Sequence, residues 1–88
     1  MDCEGFLADL RTQRAVVMSL MIVGEAAARV LADYSEFAKA HPDIPWRSIR
    51  GMRNRIAHGY FDVDLGVVWR TVETELPALI DRLEALLN

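Results

Sequence analysis

Apolar residues recur along this chain in steps of three and four, the spacing that keeps one face of an α-helix turned inward. The longest such run joins Val16, Leu20, Val23, Ala27, Val30, Tyr34 and Phe37 and predicts a helix from about Thr12 to Lys39. Ala15, Met18, Ile22 and Ala26 widen its apolar face, so the helix is expected to touch two neighbours. Tyr34 falls on the stripe and is expected in the core. Gly24 stands mid-helix, where glycine is about 1 kcal/mol worse than alanine. A close helix crossing there would account for it.

His41-Pro42-Asp43-Ile44-Pro45 interrupts the pattern. Two prolines so close cannot continue a helix, and each biases its predecessor towards extended backbone. A second helix is predicted from Trp46 to about His58, with Gly59 as its C-terminal cap. A third begins near Asp62 or Asp64, either of which can serve as N-cap. It carries Leu65, Val68, Val72, Leu76, Leu79, Leu83 and Leu86 on one stripe. Pro77 lies inside it and is expected to kink or divide it near Glu73. No alternating strand pattern occurs, so the fold class is all-α.

The 88 residues fit one domain, residues 1–88. Hydrophobic residues make up 52% of them, more than a small bundle needs. The surplus suggests a homodimer, with a tightly packed monomer as the alternative. The single cysteine, Cys3, cannot form an internal disulfide or a zinc site. The start, Met1-Asp2-Cys3-Glu4, is acidic rather than basic, unlike a signal peptide. The apolar run from Ala15 to Met21 is too short to span a bilayer, with Glu25 and Arg29 following it. A cytoplasmic protein without membrane contact is expected.

Charge changes the picture at one place. Net charge is −3, yet Ile44 to Phe61 holds Arg47, Arg50, Arg53 and Arg55 and no acid. A basic strip on an acidic chain points to a local anion site or to a solvated helix face. At about 100° per residue with Arg47 at zero, Arg50 falls near 300°, Asn54 near 340° and His58 near 20°. Ile49, Met52 and Ile56 cluster between about 140° and 200°, which makes a packed face opposite a face of Arg, Asn and His. Arg53 lies on the flank, about 140° from His58. The two would meet if the helix loosens at Gly59, or if two copies of the chain face each other.

Arginine grips phosphate through a planar fork of donors, and histidine moves protons at neutral pH. Together they suit RNA cleavage without metal or other cofactor: the 2′-hydroxyl attacks the adjacent phosphate, histidine handles the proton and arginine holds the developing charge. Asn54 could orient either partner. Asp62 and Asp64 lack clustered histidines, so no metal site is expected.

Arg53-Asn54-Arg55-Ile56-Ala57-His58-Gly59-Tyr60 resembles the R-N-x-x-x-H-x-Y motif of the HepT-like toxins of the HEPN superfamily. Val23-Gly24-Glu25-Ala26-Ala27 resembles the family's G-E-A in its long helix. His41-Pro42-Asp43-Ile44-Pro45-Trp46, Gly51-Met52, Phe61 and Val68-Trp69 extend the similarity over roughly Phe6 to the C-terminus. The resemblance implies a small antiparallel helical bundle of HEPN type, apparently lacking the family's first helix. It also implies a dimer with the motif lining a cleft between subunits, and an endoribonuclease toxin paired with a minimal nucleotidyltransferase antitoxin. That partner would transfer AMP from ATP to the motif tyrosine, here Tyr60. Arg53 and His58 carry over as catalytic and Asn54 as supporting. Arg47, Arg50 and Arg55 become RNA phosphate contacts. Glu25 has two readings, a helix-surface residue in an apolar stretch or a buried acid paired with an arginine of the basic helix whose position it fixes, and the family's acid at this place favours the second. Trp46 and Trp69 are expected as packing anchors. A non-catalytic binding or scaffold subunit that accompanies a nucleotidyltransferase is the alternative function.

Overall fold

The structure, a computed structural model, describes residues 1–59 and 63–87. Its elements are α1 (Cys3–Leu7), α2 (Leu10–Asp33), α3 (Ser35–Ala40), α4 (Trp46–His58), α5 (Leu65–Arg70), a π-helical segment (Thr71–Glu75) and α6 (Leu76–Leu87). Among the described residues there is no strand, and the fold is the all-α bundle that the sequence predicts.

The core forms where α1, α2, α4 and α5 meet. Phe6, Val17, Leu20, Ile56 and Val68 are buried together, with Met52 and Trp69 packed around them. Leu20 and Ile56 occupy the inward positions of their stripes. The Phe6 and Trp69 rings stack at a tilt with centroids 5.5 Å apart, which anchors the N-terminus against α5.

The N-terminal turn α1 was not predicted. Five residues are too few to show a period, and Phe6 is held by tertiary contacts. Gln13 is buried, and its Nε2 donates to the Phe6 and Leu7 carbonyls at 3.0 Å each. Those carbonyls end a helix and need donors, so one buried amide ties α1 to α2.

Two sequence expectations fail near the end of α2. The predicted helix to Lys39 breaks at Tyr34, whose φ of −134° and ψ of 46° are not helical. Tyr34 is 65% exposed rather than in the core. Beyond the break α3 turns back over the proline segment. The Phe37 ring lies 4.5 Å from that of His41 and 6.1 Å from that of Trp46. Trp46 Nε1 donates to the His41 carbonyl at 3.1 Å, and Ile44 is fully buried beneath. This packing fixes where α4 starts.

α2 is also longer than the apolar run Ala15 to Met21 that it contains. Taken whole, α2 is long and apolar enough to cross a membrane, with a mean hydropathy of 1.8 over its best window. In the fold, α2 forms its main packing with α4.

The third predicted helix divides as Pro77 requires. Asp64 caps α5, accepting from the Gly66 and Val67 amides at 2.9 and 3.2 Å; Asp62 lies outside the described residues. Pro77 has no N–H for the Glu73 carbonyl, and the turn before it widens to the π-helical spacing. From there α6 runs on with no fully buried residue, in a molecule measuring 41 × 28 × 15 Å.

Candidate functional site

α4 carries the candidate chemistry. It spans Trp46–His58 as predicted, because Pro45 precedes it and Gly59 ends it. The Gly59 N–H donates to the Arg55 carbonyl at 3.1 Å. Gly59 has a φ of −152° rather than a left-handed one, so its capping role does not depend on glycine's freedom at positive φ.

The apolar positions of α4 fall inward as the helical period requires. Ile56 is buried, while Ile49 and Met52 are half-buried. On the opposite face Arg47, Asn54 and His58 are exposed and Arg50 is half-buried. Arg55 is exposed, with Nη1 lying 3.5 Å from where a Cβ on Gly51 would sit.

Arg53 is treated differently from the other arginines. Its aliphatic stem lies across Gly24 of α2, so tightly that a Cβ on Gly24 would collide with the Arg53 Cβ. The close crossing anticipated from Gly24 is therefore present, and Arg53 is the residue that fills it. The guanidinium then reaches Glu25, with Nη1 3.3 Å from Oε2. The pairing of an acid with an arginine is as expected, but the burial is not. The Glu25 side chain is 55% exposed, against 26% for Arg53. The glycine beside Glu25 takes the contact position, and the Glu25 side chain stays half-exposed. Arg53 Nε is buried and makes no hydrogen bond.

His58 faces elsewhere. It stands on the rim of a cavity of about 690 Å³ between α2, α4, α5 and the start of α6. Ile49, Met52, Val67 and Leu79 make its apolar lining, and Arg55 and Arg82 join His58 among its polar groups. Within one chain, then, Arg55 and His58 share a cavity while Arg53 sits with Glu25 at the α2 crossing. Sequence reasoning missed Arg82. It follows the π-helical segment Thr71–Glu75, and the only available signal is its spacing of three from Leu79. Tyr60 lies outside the described residues. No group of three or more potential metal ligands occurs among the described residues.

The site class is thus an all-helical bundle that presents an arginine- and histidine-bearing helix beside a cleft. The family profile described as ribonuclease HepT-like matches residues 1–86, and the chain belongs to that family. It is 43% identical over 83 residues to the "Probable ribonuclease HepT" of Thermococcus cleftensis, covering 94% of this chain and 73% of that protein. It is 37% identical over 85 residues to the "Putative RNase TTE0752" of Caldanaerobacter subterraneus subsp. tengcongensis, covering 97% of this chain and 73% of that one. No solved structure matches it.

Proposed function

We propose that this chain is a metal-independent endoribonuclease that acts in the cytoplasm as the toxin of a toxin–antitoxin pair. The observation that carries this reading is the outward face of α4, where Arg47, Asn54 and His58 are exposed above a buried Ile56. Membership of the ribonuclease HepT-like family supports it.

In the proposed reaction, a ribose 2′-oxygen attacks the adjacent phosphorus and its proton passes to His58. The bond from phosphorus to the 5′-oxygen breaks. That oxygen leaves with a proton returned by an imidazolium, giving a cyclic phosphate and a 5′-hydroxyl end. Arg53 holds the charge on the non-bridging oxygens, and Asn54 orients the reacting groups. Arg47, Arg50 and Arg55 hold flanking phosphates. Because Arg53 and His58 face different sides of α4, the reading requires two copies of the chain to complete a site. Met18 and Ile22, 61% and 63% exposed, fall on the same side of α2 as Glu25 and offer apolar surface for the second copy.

The proposed switch is AMP transfer by a partner nucleotidyltransferase. The Tyr60 phenol oxygen attacks the α-phosphorus of ATP and pyrophosphate leaves. The new phosphodiester would place negative charge and bulk beside the arginines and keep RNA out.

Two measurements test the reading. Expression of the chain should arrest growth and cleave RNA, and His58→Ala should abolish both. Equal toxicity of His58→Ala would remove the catalytic assignment and leave a scaffold subunit. Incubation with ATP, magnesium and the partner nucleotidyltransferase should raise the intact mass by one or more AMP units, with no gain in Tyr60→Phe. An unchanged mass with an active partner would remove the switch.

A further inference from the structure

At the contact between α2 and α4, the close packing that requires glycine also fixes one charged side chain. Glycine in the middle of a 24-residue helix weakens that helix. An ion pair with a half-exposed carboxylate adds little in return. Yet Gly24 and Glu25 both act on one side chain, Arg53. A Cβ at Gly24 would meet the Arg53 Cγ at 3.0 Å and the Ile49 carbonyl oxygen at 3.1 Å, besides striking the Arg53 Cβ. Only glycine lets the arginine stem lie flat in the crossing. Glu25 then holds Nη1 at 3.3 Å, while Nε faces inward, buried and without a hydrogen bond.

We propose that Gly24 and Glu25 are positioning residues for Arg53. Gly24 sets the depth of the stem and the Glu25 carboxylate sets the direction of the guanidinium, so that its outer nitrogens are presented to an RNA phosphate in one orientation. The inference rests on the reading of Arg53 as a phosphate-holding group. An arginine free in solvent samples many rotamers and must lose that freedom when it binds. Here the ordering is done by the fold before RNA arrives, the condition under which a charged group favours the transition state. Glu25 touches no RNA in this scheme and acts only through Arg53.

The test combines kinetics with a direct view of the guanidinium. In the purified chain, Glu25→Gln should lower kcat for RNA cleavage on the order of 10- to 100-fold with KM nearly unchanged, and Glu25→Asp should recover part of the loss. In an Arg53→Ala background, Glu25→Gln should have no further effect. Independently of cleavage, Glu25→Gln should shift and broaden the Arg53 Nε–H resonance in the NMR spectrum. A Glu25→Gln variant with parental or raised kcat would overturn the proposal; a raised value would mean that Glu25 competes with RNA for Arg53. An unmoved Nε–H resonance would overturn it as well. A chain that cuts no RNA, yet shows the resonance shift, would locate the failure in the ribonuclease reading and not in the positioning of Arg53.

Discussion

On the side of α4 that faces α2, backbones meet at Gly24, a charged side chain is laid into the crossing, and Glu25 holds its end. On the side that faces α5 and α6, the helices diverge around a cavity of about 690 Å³, and α6 buries no residue fully. The closed side carries Arg53 and the open side carries His58. One helix thus carries an arginine held in a tight crossing and a histidine beside an open cavity. The difference teaches that two side chains on one helix need not face one site. Five residues of separation turn them about 140° apart, and in the proposed function a second molecule brings them together.

The largest expected effect breaks this comparison directly. Arg53→Ala and His58→Ala should each reduce cleavage on the order of 10²- to 10⁴-fold. If each site takes Arg53 from one copy and His58 from the other, mixing the two inactive variants should restore roughly a quarter of the parental rate. Half the dimers would be mixed, each with one intact site. A mixture as inactive as its components would place both residues of a site in the same chain and require rearrangement around Gly59.

The next effects compare cores. Leu20, 4% exposed, lies where α2 meets the rest of the bundle, and Leu20→Ala should destabilise the fold by about 2–5 kcal/mol in chemical denaturation. Leu83 is half-buried on α6, and Leu83→Ala should lose only about 1 kcal/mol. Equal losses would mean that the open side is covered in solution, and dependence of the Leu83→Ala loss on protein concentration would assign the cover to a second copy. Gly24→Val should destabilise by about 1–3 kcal/mol through overpacking of the crossing. A Gly24→Val variant as stable as the parent would show that the closed side is not closed.

The sequence announced some of these features and hid others for physical reasons. The bounds of α4 were legible because Pro45 and Gly59 punctuate both ends. The disturbance before Pro77 was legible because a missing N–H has to be accommodated somewhere. The break at Tyr34 was not legible: an apolar stripe runs unbroken through Val30, Tyr34 and Phe37 even where the helix bends. Only Asp33 and Ser35, residues that compete with the helix for backbone hydrogen bonds, hinted at it. In the candidate site, the polar face of α4 could be drawn from the period alone. That Glu25 pairs with an arginine of α4 came from the resemblance; that the arginine is Arg53 did not, since a helical wheel leaves Arg53 on a flank. The cavity beside His58 depends on the angle between α4 and α6, which no local pattern encodes.

The smallest expected effect concerns how α2 is held at its start. Asp9 accepts the Thr12 amide at 3.1 Å and the Thr12 hydroxyl at 2.9 Å. These bonds, the backbone one foremost, hold its carboxyl below the ordinary aspartate value of 3.8. A carboxylate whose folded value is depressed stabilises the fold above its unfolded value, and that contribution is lost as pH falls through the folded one. Asp9→Ala should therefore lower Tm slightly at neutral pH, and the gap between variant and parent should narrow as pH drops below 3.8. Asp9 is exposed to solvent screening, so the gap should stay well below that of Leu20→Ala. A gap that stays constant down to strongly acid pH would mean that Asp9 acts through packing and not through its charge. The first turn of α2 would then be anchored mainly by Gln13, whose amide carries no titrating group and already ties α1 to α2.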